Sequence, residues 1–128
     1  MSIPRQLPLR CGPQVAATLC RALRYYTEAR FPPRRAPGCD LVARDALQSA
    51  RHSLERQLRA DPRRLSINRR TRPLYREAVR SYCAVLADVE GRDTGPERAV
   101  LLAALAGDPV PDASLQEARG RAPERPPE

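Results

Sequence analysis

Apolar side chains return at the spacing of an α-helix through Val15–Arg30. Val15, Leu19, Ala22, Leu23 and Tyr26 line one stripe, and Arg21, Arg24 and Glu28 fall off it. No proline or glycine interrupts the segment, and Pro32–Pro33 ends it. A second ridge follows in Leu47, Leu54 and Leu58, padded by Ala43, Ala46 and Ala50, with Gly38 and Asp40 supplying a turn and an N-cap ahead of it. Two basic amphipathic helices joined by a Pro/Arg/Gly loop therefore form a frame, and the rest of the chain has to pack against it.

The remainder supplies two more helices. Leu74, Tyr75, Ala78, Val79, Tyr82, Val85, Leu86 and Val89 predict a third from about Pro73 to Glu90, with Thr71 as its cap and Gly91 as its stop. Pro96–Ala106 reads as a short, apolar fourth helix, with Pro near its start and Gly107 past its end. Glu55 is spaced to pair with Arg59. Residues 1–13, broken by Pro4, Pro8 and Pro13, read as an irregular leader, although Pro13 suits a first helical turn. Residues 14–107 form the domain, with 61–72 a basic connector, and the Pro-rich 108–128 read as a disordered tail. No strand alternation or internal repeat stands out. The expected fold is all-α: a three-helix antiparallel bundle with a short fourth C-terminal helix and disordered ends.

Composition narrows the chemistry. Aromatics are 4% of residues and Trp is absent, so the core must be built from Leu, Val, Ala and Tyr. All 23 basic residues are arginine, and the net charge of +8 points to an acidic partner: nucleic acid, anionic lipid or acidic protein. Residues 51–80 hold ten Arg against three acids. Cys11, Cys20, Cys39 and Cys83 are irregularly spaced, and His52 is the one histidine, which is not a metal-ligand pattern. Cys20 and Cys83 read as small buried thiols. No nucleophile, base or phosphate loop stands in a motif, so no enzyme activity is expected. No apolar run approaches membrane-spanning length. From Met1 to Thr27 there is no acid, while Arg5, Arg10, Arg21 and Arg24 are spread along an increasingly amphipathic segment. That profile fits a mitochondrial targeting segment, and equally a Pro-rich leader before an ordinary helix.

Three stretches resemble the LYR-motif family of mitochondrial assembly factors. Leu19-Cys20-Arg21-Ala22-Leu23-Arg24-Tyr25 stands where that family carries its Leu-Tyr-Arg signature, with Cys20 in place of the Tyr. Ala43-Arg44-Asp45-Ala46-Leu47, continued to Arg51, is similar to the family's Arg-Asp-x-Phe-Arg pattern, with Leu47 for the Phe. Tyr75 to Tyr82, followed by Leu86, resembles the third-helix pattern of the succinate dehydrogenase assembly factor branch, as does the PPRRAPGCD loop. The apolar fourth helix and its Gly107–Pro111 sequel look more like the ATP synthase assembly factor branch.

The resemblance implies a non-enzymatic adaptor of the mitochondrial matrix. It would bind an acylated acyl carrier protein and assist assembly of a respiratory-chain or ATP synthase complex, contacting a subunit of that client. Leu19, Cys20, Arg21, Arg24, Tyr25, Arg44, Leu47 and Arg51 would then be the partner-binding residues. Arg21, Arg44 and Arg51 would stand at the mouth of a core tunnel. The expected cofactor is none of its own, only the acyl–phosphopantetheine arm that the carrier brings. The alternative is a small basic helical protein that binds nucleic acid through the Arg63–Arg80 cluster, with Arg63, Arg64, Arg69, Arg70 and Arg72 on the phosphates.

Overall fold

In a computed structural model that describes residues 5–32 and 38–120, the chain runs β1 (Gln6–Leu9), α1 (Pro13–Arg30), α2 (Gly38–Ala60), β2 (Leu65–Asn68), a 3-10 turn (Arg69–Thr71), α3 (Arg72–Glu90), α4 (Gly95–Leu105) and α5 (Asp112–Gly120). The fold is mostly α, as the helical stripes require. α1 is the axis: it packs on α2 and α3 and also reaches α4 and α5. Val15, Ala16, Leu19, Ala22 and Leu23 are fully buried, and they meet Leu47 and Leu54 of α2 and Tyr75, Ala78, Val79 and Cys83 of α3 in one core. β1 leads into α1 and β2 leads into α3; because the two strands pair antiparallel, α1 and α3 leave the ribbon from opposite ends. α2 returns along α1 to reach β2.

Two segments expected to be irregular are ordered. β1 and β2 form a two-stranded antiparallel sheet in which Leu7 faces Ile67 and Leu9 faces Leu65. Leu9, Leu65 and Ile67 are buried, and Ser66 and Asn68 between and beyond them are not. The alternation was present in Leu65-Ser66-Ile67-Asn68 but short, and the prolines of the leader pointed away from a strand. Pro8 is tolerated because of where it falls. It faces Ser66, whose N–H donates to the Gln57 side-chain oxygen (2.7 Å) and whose carbonyl accepts from the Gln57 amide (3.0 Å). Opposed residues in an antiparallel ladder alternate between bonded and non-bonded pairs, so this non-bonded position asks Pro8 for no N–H.

The stretch from Asp108 corrects the second expectation. Val110 bridges Cys11, exchanging N–H···O contacts with Arg10 (2.9 Å) and Gly12 (3.0 Å). α5 then buries Leu115 and Ala118 against α1 and α4. Two apolar residues three apart are too weak a pattern to read alone; the helix is held by its neighbours. Of the leader 1–13 and the tail 108–128, residues 1–4 and 121–128 lie outside the described residues, as does 33–37 of the Pro-rich loop.

Smaller departures have local causes. Thr71 precedes α3, but its hydroxyl donates back to the Asn68 carbonyl (2.7 Å) and does not cap the helix. Asn68 instead caps the 3-10 turn by accepting from the Arg70 amide (2.9 Å). Val89 belongs to the α3 stripe yet is 78% exposed. Tyr82 already lies beside Tyr25, near the end of α1, so two turns further along Val89 has no α1 residue opposite. Gly91 and Gly107 stop α3 and α4 with φ of 63° and 92°, which suits glycine.

The α4–α5 corner holds a charge network. Glu97 is 1% exposed and is engaged by Arg92 from the α3–α4 turn and by Arg119 of α5 (3.7 Å). Arg92 also pairs with Glu90, and Arg119 donates to Thr18 of α1 (3.3 Å). Hydrogen bonding to Glu97 and then to Glu90 pushes the Arg92 guanidinium further toward its protonated form. Nothing in the spacing of Arg92, Glu97 and Arg119 announces this cluster, because α5 has to be in place to assemble it.

Candidate functional site

α1 and α2 leave an open cleft of about 310 Å³ along one flank, lined by Ala17, Cys20, Arg21, Arg24, Arg51, Glu55 and Leu58. Helical spacing puts them there: Ala17, Cys20, Arg21 and Arg24 follow one another around one side of α1, as Arg51, Glu55 and Leu58 do along α2. The cleft has an apolar base and a charged rim. Arg21 and Arg24 are exposed, and Arg51 is half-buried beside Glu55 (3.6 Å). Glu55 was expected to pair with Arg59, one turn further on. It turns back to Arg51 instead and becomes the internal counter-ion of the site.

Cys20 lies at the base. Burial pushes its thiol up to about 12, the neighbouring Glu55 adds to the rise and Arg51 opposes it. A buried thiol held that far from ionisation packs as a small apolar group. His52 is exposed on the adjoining face of α2, within 3.4 Å of the Arg51 guanidinium.

The structure brings together four of the eight residues expected to bind a partner: Cys20, Arg21, Arg24 and Arg51. The other four do different work. Leu19 and Leu47 are fully buried in the core and present no surface. Tyr25 is half-buried against Tyr82, with ring centroids 6.0 Å apart. Arg44 is absorbed by the fold. Its side chain is 12% exposed, donates to the Phe31 carbonyl at the end of α1 (2.8 Å) and meets Glu28 (3.4 Å). A guanidinium spent on closing a helix end is not at the rim of the cleft, so the placement of Arg44 beside Arg21 and Arg51 is corrected. Sequence spacing missed Glu55, Ala17 and Leu58. The i,i+4 step from Arg51 to Glu55 was the available signal.

The alternative arginine set is split by β2. Arg63 and Arg64 precede the strand, and Arg69 and Arg70 follow it; all four are exposed, whereas Arg72 is half-buried at the start of α3. Asp61 accepts from the Arg63 amide (3.0 Å) and lies 3.9 Å from the Arg64 side chain.

Among the described residues, no group of three or more His, Cys, Asp or Glu could hold a metal ion, and no helix is long and apolar enough to cross a membrane. Comparison of the chain with protein-family models, with curated proteins and with solved structures finds no match.

Proposed function

We propose that this chain is a non-enzymatic adaptor whose α1–α2 cleft seats an anionic group of an acidic carrier protein. By the resemblance of its helices, that carrier is an acylated acyl carrier protein of the mitochondrial matrix, delivered to a respiratory-chain or ATP synthase subunit during assembly. The observation that carries the proposal is the convergence of Arg21, Arg24 and Arg51 on one open cleft with an apolar base. Guanidinium forks suit phosphate and carboxylate, and Ala17, Cys20 and Leu58 offer a surface for an apolar chain. Arg21 stands at the signature position of the resemblance, and Leu19 and Leu47 serve by holding α1 against α2.

The test is a titration of acyl carrier protein against the wild type and three variants. A charge-assisted contact is worth about 1.5–3 kcal/mol, so Arg21→Ala should weaken binding roughly 10- to 100-fold, and Arg51→Ala similarly. Both helices keep their fold, because Ala is a good helix former. Glu55→Gln should tighten binding, since it frees Arg51 from its internal counter-ion. Unchanged affinity in both arginine variants would sink the proposal.

A further inference from the structure

The β1–β2 pairing joins two stretches that are far apart in the chain and share one property. Residues 1–27 contain no acid, and neither do residues 62–76. The register sets Gln6 opposite Asn68 and Leu9 opposite Leu65. Arg5 therefore lies beside Arg69, whose amide donates to the Arg5 carbonyl (2.8 Å), and Arg10 falls at the end that carries Arg63 and Arg64. Arg5, Arg10, Arg63, Arg64, Arg69 and Arg70 are all exposed. Asp61, Asp108 and Asp112 are the acids close in sequence or pairing to the Arg10 end. The opposite end, Arg5, Arg69 and Arg70, has no ion pair among the described residues.

Next to that bare end is a second hollow, about 290 Å³, between α2, β2 and the start of α3. Its walls mix amides and hydroxyls (Gln6, Ser49, Ser53, Asn68) with apolar Ala50 and Ile67, and carry no formal charge. Asn68 and Thr71 flank Arg69 and Arg70 in the chain, and Gln6 adjoins Arg5. An uncharged, partly apolar pocket next to exposed arginines suits an unstacked base whose phosphates the guanidinium groups hold.

We propose that the β1–β2 ribbon and this pocket form a binding platform for single-stranded nucleic acid. The arginines hold successive phosphates, and the pocket admits one unstacked base. A duplex keeps its bases stacked and paired, so it offers the pocket nothing to admit. A membrane surface fits less well, since the exposed large apolar residues Leu41, Val42 and Val89 lie on α2 and α3, away from the ribbon. The platform is also separate from the α1–α2 cleft: Ser49, Ser53 and Gln57 turn one flank of α2 to the ribbon, and Arg51, Glu55 and Leu58 turn the other to the cleft.

The test is fluorescence anisotropy with a labelled single-stranded RNA of about 12 nucleotides and its duplex, across a salt series, each variant first checked for wild-type circular dichroism. Each phosphate neutralised on a single strand contributes about 0.7 to the slope of log K against log salt. Arg69→Ala with Arg70→Ala should therefore flatten that slope by roughly 1.4. Ser49→Phe, which fills the pocket from an exposed position, should weaken single-strand binding while leaving inhibition by polyphosphate unchanged. Arg21→Ala should leave RNA affinity as it is. The proposal falls if single strands are not bound at low salt, or if the Arg69/Arg70 variant keeps the full slope. It also falls if Arg21→Ala loses as much affinity as that variant, since net charge alone would then account for binding. Tighter binding to phosphatidylserine vesicles than to RNA would overturn it as well.

Discussion

One carboxylate, Asp112, starts α1 from almost a hundred residues away. Gly12 precedes α1 and has no side chain to offer, so the Asp112 Oδ1 accepts from the amides of Gln14 (2.9 Å) and Val15 (3.1 Å). An acid at a helix N-terminus satisfies donors that the helix cannot and opposes the dipole. The approach leaves no room at Gly12: a Cβ there would lie 2.2 Å from that oxygen, although its φ of −70° is open to any residue. Asp112→Ala should cost about 1 kcal/mol, within the range of lost N-caps, and Asp112→Asn should cost less because it keeps an acceptor. Gly12→Ala should destabilise through crowding and displace Asp112. Urea unfolding of the three variants checks this, and an unaltered midpoint for Asp112→Ala would show that the contact contributes nothing.

Among the elements, the small sheet is the least self-sufficient, since two strands of four residues are marginal alone. Its stability comes from Leu9, Leu65 and Ile67 beneath it and from Gln57, which occupies the edge of β2 that β1 does not. Gln57→Ala leaves the Ser66 amide and carbonyl without those bonds in a partly buried place, at a cost of about 1–3 kcal/mol. The loss should be local. Hydrogen exchange at Ser66 should quicken while amides in the middle of α1 stay protected. Uniform loss of protection would mean that the strand pair is part of the global unit, and an unchanged Ser66 would mean that Gln57 is incidental. The same tie holds the proposed nucleic-acid platform in shape, so this variant should also lose single-strand affinity.

At the scale of the whole molecule, the core is built to keep its thiols neutral. Burial is the largest cause that raises Cys11 to about 11, Cys20 to about 12 and Cys83 to about 11, against an ordinary value of 9.0. The unfolded chain can ionise these thiols from about pH 9, while the folded chain holds their protons until about pH 11 or above. Over that window the folded state binds more protons, so stability is fully present below pH 9 and falls as pH rises. Denaturant midpoints should decline between pH 9 and 11, and Cys83→Ala should flatten part of the decline. A pH-independent midpoint over that range would contradict the buried thiols.

The stripes of α1, α2 and α3 were legible because a 3.6-residue apolar period needs no partner to declare itself, and Gly91 and Gly107 stop α3 and α4 by a property glycine has anywhere. Arg21 and Arg24 could be placed off the α1 stripe for the same reason, whereas Arg51 entered through the resemblance of its helix. What the chain decided only by folding depends on residues far apart in sequence. β1 carries Pro8 and the alternation of β2 is too short to stand out, so the two become strands through each other and Gln57. α5 carries two buried side chains and persists because α1 and α4 cover them. Arg44 looked like a free guanidinium until the end of α1 brought the Phe31 carbonyl to it. Local period and turn chemistry are properties of neighbouring residues and can be read from them. Charge neutralisation, edge covering and capping across the chain are properties of surfaces that exist once the helices have packed.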